Sequence, residues 1–224
     1  MTRSIESSWS AKAFTRFAAA LFLAACSLVQ ASPALSRDKD YQGEDAGYLV
    51  YSVGTVSIGM PFTFSYRPTA DGGRNAGKEW AGKIQPKLGG AIYLKVKNPD
   101  FSGEESGHVV VRRLPPGSYQ VDKFNFGGSN LAGTSYHFSS AVPFALPFSI
   151  RPGEATYIGS FMRAPSLGTK LQPELGAAGF FVISDRGPRD APIAKAKLPA
   201  AVPIRPEVGD VSKFGSKALR TSHP

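Results

Sequence analysis

The chain is short of cysteine, histidine and acidic side chains, and nothing near its N-terminus reaches membrane-spanning length. Its one cysteine, Cys26, excludes a disulfide within a single chain, so packing must hold the fold together. The three histidines, His108, His137 and His223, are far apart in the sequence. Zinc sites show paired ligands at short spacing. Asp38-Lys39-Asp40 and Glu104-Glu105 lack the frame of a calcium loop and read as solvated charge. No metal is therefore expected. Against 17 Asp and Glu stand 26 Lys and Arg, a formal charge of +9. Such an excess reads first as a solvated basic surface and otherwise favours anionic neighbours such as phospholipid, lipopolysaccharide or cell-wall glycan, with an envelope protein the other candidate partner. Without zinc-finger spacing or an RNA-recognition motif, no nucleic-acid partner is expected.

Motifs that carry chemistry are equally scarce. Gly72-Gly73-Arg74-Asn75-Ala76-Gly77-Lys78 has the glycine and lysine spacing of a P-loop. Glu79 then stands where Ser or Thr must hold magnesium, and a carboxylate there repels phosphate. The segment reads as an exposed loop, and no cofactor is implied. Ser129, in Gly127-Gly128-Ser129-Asn130-Leu131, lacks the closing glycine of a nucleophile elbow. His137 is within reach of that loop, but no orienting carboxylate lies near, which leaves a hydrolase as the weaker alternative to a non-catalytic protein.

What the chain does have starts at its N-terminus. Residues 1–16 are polar and net positive, and Phe17 to Ala25 is a nine-residue apolar run. That is the length of a signal-peptide core, and it falls short of the roughly 20 residues needed to span a bilayer. Leu23-Ala24-Ala25-Cys26 resembles the lipobox of bacterial lipoprotein precursors. The resemblance implies cleavage between Ala25 and Cys26, with diacylglycerol on the Cys26 thiol and an acyl chain on its new amino group. Two or three chains anchor stably where one does not. Ser27, where inner-membrane retention favours Asp, implies the outer membrane, with the domain facing the periplasm. Ordinary cleavage after Ala31 or Ala34 remains open and would give a periplasmic or secreted protein. Arg3, Lys12 and Arg16 against Glu6 give the first 25 residues a net +2, which leaves +7 for the rest.

Residues 26–45 read as anchor and flexible tether, and 46–187 as the folded domain. Gly (24) and Pro (18) are abundant, and they punctuate strands and interrupt helices. Strand-like runs fall at 48–53, 62–66, 91–97, 108–112, 118–126, 148–150, 155–161 and 179–184. Loops are expected at 69–89 and 127–142. The pattern predicts a mainly β fold, an antiparallel sandwich of about seven to eight strands. A short helix capped by Asp190 is expected over 188–198, followed by a loose, basic, proline-containing tail that completes 188–224.

Two segments carry a further resemblance. Leu114-Pro115-Pro116-Gly117-Ser118-Tyr119-Gln120-Val121 resembles a hairpin of transthyretin-like and carboxypeptidase-regulatory-like sandwiches. Phe148 to Gly159 is similar to a second hairpin in small exported bacterial lipoproteins of unknown function. The resemblance implies that sandwich over roughly residues 46–185 and brings no catalytic residue. The aromatic residues Phe124, Phe126, Tyr136 and Phe138 either cap the core or form a shelf for a ligand, with Tyr136 and Phe138 the candidate contacts. The expectation is a lipid-anchored envelope protein whose sandwich binds or scaffolds another component. A soluble ligand carrier is the alternative.

Overall fold

The computed structural model describes residues 39–56, 61–69, 78–89, 95–129, 135–139, 143–164, 180–214 and 219–222. Among the described residues the fold is mainly β with one short α-helix. Two sheets face each other across an aromatic core. Sheet A contains β1 (Gly47–Val56), β6 (Glu105–Leu114), β10 (Ala155–Ala164), β11 (Phe180–Ser184), β12 (Ile204–Pro206) and β13 (Leu219–Ser222). Sheet B contains β2 (Phe62–Pro68), β3 (Gly82–Ile84), β7 (Gly117–Ser129), β8 (Ser135–Ser139) and β9 (Leu146–Ile150). A two-stranded ribbon joins β4 (Leu88–Gly89) to β5 (Lys95–Val96). Helix α1 (Gly187–Lys197) covers the outer face of sheet A.

Alternation along the strands sets the layers. Leu49, Tyr51 and Val53 of β1 point into the core, as do Phe62, Phe64 and Tyr66 of β2. Phe64 is fully buried, with ring centroids 5.1 Å from Phe161 and 4.8 Å from Phe181, so it ties sheet B to sheet A. The alternate residues of β1, Val50 and Ser52, face α1. Both faces of β1 and β10 are thus covered, which is why their sequences read as nearly continuous apolar runs.

Both proline-glycine turns fall where the sequence puts them, but neither is a hairpin. Strand β6 belongs to sheet A and β7 to sheet B, and β9 and β10 are divided in the same way. Leu114 to Gly117 and Arg151 to Glu154 are therefore corners between sheets. Prolines suit such corners because they ask for no ladder partner. Beyond the first corner, the Tyr119 hydroxyl donates to the Pro115 carbonyl at 2.9 Å, and its ring stacks on Phe148 at 5.4 Å. Burial, with Tyr66 and Tyr41 adding to it, pushes this phenol far above its ordinary range.

The sheets depart from a purely antiparallel arrangement. Strand β1 pairs parallel to β10, β12 parallel to β10, and β13 parallel to β11. All eight expected strands are present in whole or in part, 91–94 lying outside the described residues. Strands β3, β4, β8, β12 and β13 had no strand signal and fall in the expected loops and tail. The tail is not loose over its described length. It adds β12 and β13 to sheet A and buries Val211 and Leu219 in the core. Residues 39–45, expected as tether, also dock. The Tyr41 amide donates to the Arg113 carbonyl at 2.9 Å, and its ring meets Trp80 edge-on at 5.3 Å.

One irregularity shapes the helix-covered face of sheet A. Between Val50 and Ser52 of β1, strand β10 carries one extra residue, and Gly159 takes φ +108° there. A Cβ at Gly159 would come within 3.0 Å of Val208 and 3.1 Å of the Ser184 carbonyl. The bulge lets Tyr157 and Ser160, three residues apart, face the same side.

Edge strand β6 is covered by groups from outside its sheet. Gly107 exchanges backbone bonds with Asp100 and Phe101. The Val109 amide donates to Asp100 Oδ2 at 2.9 Å, and its carbonyl accepts from Lys197 Nζ at 2.7 Å. The Arg113 amide donates to Asp40 Oδ1, and its carbonyl accepts from the Tyr41 amide.

Candidate ligand cleft beside the helix

Asp190 organises the helix-covered face. The sequence casts it as a helix cap, but it sits fully buried inside the helix. Oδ2 accepts from Ser52 at 2.6 Å and from Tyr157 at 2.7 Å, and Oδ1 accepts from Arg189 Nε at 2.7 Å. Arg189 also donates to Ser52 and Ser160, both at 3.1 Å, pairs with Glu105, and lies 3.7 Å over the Phe101 ring. Arg186 holds the other Glu105 oxygen at 2.9 Å. Burial first, and the Asp190 carboxylate second, push the Tyr157 hydroxyl far above the usual phenol range, so it remains a donor. Ser52 and Ser160 are wholly buried and unreachable by a substrate. This network clamps helix to sheet; it is not a nucleophile with a base.

A cleft of about 660 Å³ opens beside the clamp. Its floor is Val50 and Tyr157, neighbours across the β1–β10 ladder. One wall is the stripe of α1 bearing Pro188, Ala191 and Lys195. The other is the segment from Pro199 to Pro206, which turns after the helix and returns as β12. Volume and mainly apolar lining match sites for small organic ligands.

A second concavity of about 590 Å³ lies along β6, with Asp100, His108, Lys87 and Lys197 around it. Burial on its own raises the Asp100 carboxyl. Hydrogen bonds from Lys197 at 2.5 Å and from the Val109 amide outweigh that and hold it below its ordinary value. Burial lowers His108, against the opposing pull of Asp100 at 3.8 Å. These groups latch the end of α1 to the sheet edge. Among the described residues no three potential metal ligands cluster, and no helix is long and apolar enough to cross a membrane.

Among the described residues, none of the site residues singled out in the sequence lines the cleft. Ala25, Cys26, Ser27, Ala31, His223 and the glycine-rich stretch 72–77 lie outside the described residues. Strand β8 sets Tyr136 opposite Gly128 and Phe138 opposite Phe126; their side chains, like those of Ser129 and His137, lie outside the description. Phe124 and Phe126 are core residues. Sequence reasoning missed the whole cleft. The one available signal was the density of proline after the helix, at Pro199, Pro203 and Pro206.

Comparison with known proteins adds no family. No protein-family model and no curated protein matches the chain. A leucine-rich repeat protein from Bacteroides thetaiotaomicron is similar over 53% of this chain, at 11% identity and a TM-score of 0.29. The match spans 14% of that protein's length, and a likeness this slight carries no argument about fold or function.

Proposed function

We propose that the chain is the non-catalytic, ligand-binding sandwich of an exported bacterial envelope protein, held to the membrane through lipid on Cys26. The observation that carries the binding reading is the cleft between α1 and the returning segment 199–206. In the clamp, the Ser52 and Tyr157 hydroxyls and the Arg189 guanidinium are all engaged by the Asp190 carboxylate, which supports a binding role over a hydrolytic one.

A photoreactive methyl ester of a medium-chain fatty acid, uncharged and apolar, tests the cleft on the purified full chain. Cross-links are expected on peptides from 187–206. They should fall at least several-fold in Ala191→Trp and Ala200→Trp, which fill the cleft from opposite walls. Ala200 is exposed, so its variant keeps the test meaningful if the helix variant misfolds. Labelling spread evenly along the chain, or unchanged in both folded variants, would refute the reading.

The anchor is tested by the intact mass of the mature protein. A chain beginning at Cys26 with added diacylglycerol and acyl mass, lost in Cys26→Ser, is expected. An N-terminus at Ser32 or later would favour the soluble carrier.

A further inference from the structure

The lining of the cleft restricts what can occupy it. Four of its residues are prolines, Pro188, Pro199, Pro203 and Pro206, and none has an N–H to offer. On the floor, the Tyr157 hydroxyl already donates to Asp190 and accepts from the Arg186 amide. A ligand body that needs many donors from the lining finds few there, which disfavours sugars and nucleosides. An aliphatic body needs none, and each methylene removed from water adds about four-fold to affinity.

Charge in the lining is confined to two residues, Asp185 and Lys195. Asp185 accepts the Gly187 amide at 2.8 Å. Lys195 is exposed at the other end of the helix wall and forms no ion pair among the described residues. One unmatched cation fits one negative charge, and the Asp185 end repels it. Helix α1 has 11 residues, so the wall runs about 16 Å, room for an extended chain of medium length.

We propose that the cleft binds a single acyl chain with a carboxylate head, the head at Lys195 and the chain along α1 towards Asp185. This rests on the reading of the cleft as a ligand site and adds the ligand's class and direction. A photoreactive fatty acid is compared with its own methyl ester on the full chain. The acid is expected to label 187–206 about two- to five-fold more than the ester, the range of one exposed ion pair. Lys195→Glu should abolish that preference, so that acid labels no better than ester in the variant. A head group placed at Lys195 also predicts that a photolabel at the far end of the acyl chain marks residues near Asp185. Equal labelling by acid and ester, or a preference that survives Lys195→Glu, would overturn the proposal with the cleft reading intact. Failure of both probes to label 187–206 would instead remove the cleft reading itself.

Discussion

Replacing Phe64 with alanine is expected to destabilise the protein by about 3–5 kcal/mol, the usual cost of deleting a buried phenylalanine. Phe64 is fully buried at the middle of β2. Its ring meets Phe161 and Phe181 of the opposite sheet, Phe62 of its own strand at 6.1 Å and Phe124 of β7 at 5.9 Å. Alanine would leave a cavity bounded by rings on both sheets, and rigid rings held by several partners collapse poorly into a void. In a domain this size each kcal/mol moves the melting temperature by about 2–4 °C, so a fall of roughly 6–20 °C is expected. Phe64→Leu should cost much less. Thermal and denaturant unfolding read both. A Phe64→Ala protein melting within about 2 °C of the parent would mean that the two sheets do not share this core.

Replacing Asp190 with alanine is the second large effect, about 2–5 kcal/mol, because the Ser52 and Tyr157 hydroxyls stay buried without their acceptor. Arg189 would lose the carboxylate that meets its Nε, while the Ser52 and Tyr157 hydroxyls would lose their acceptor. Asp190→Asn keeps an acceptor oxygen and should fall in between. The cost should shrink when Ser52→Ala is made in the same chain, since one orphaned donor disappears with it. Strict additivity of the two changes, measured by denaturant unfolding, would show that the hydroxyl and the carboxylate do not act together. Loosening this clamp should also weaken labelling of the cleft, because α1 is one of its walls.

These two residues mark how far the fold was legible. Phe64 announces itself: Phe62-Thr63-Phe64-Ser65-Tyr66 alternates with the period of a strand buried on one face, and the structure buries those three rings. Asp190 gives no such sign. Near a helix start an aspartate normally caps, and its true role depends on Ser52, 138 positions away in sequence, and on a bulge that turns Tyr157 towards it. Strands β12 and β13 were hidden for a related reason. Only three and four residues long, each with one aliphatic residue, they are held by pairing with β10 and β11 rather than by their own pattern. The inter-sheet corners were legible as turns, but local sequence does not say which sheet the chain enters next. The cleft was the least visible feature, because its floor comes from β1 and β10 and its walls from the distant 185–206 stretch.

The covering of β6 bears on the company the molecule keeps. A ten-residue strand at the margin of a sheet is a natural template for a second chain, and the usual outcome is polymerisation. Here side chains and neighbouring loops already occupy the outward backbone groups at Gly107, Val109 and Arg113. To pair along these positions an incoming strand would have to displace Lys197, Asp100 and the 40–41 segment. This margin of sheet A is therefore a poor place for a second copy to add a strand.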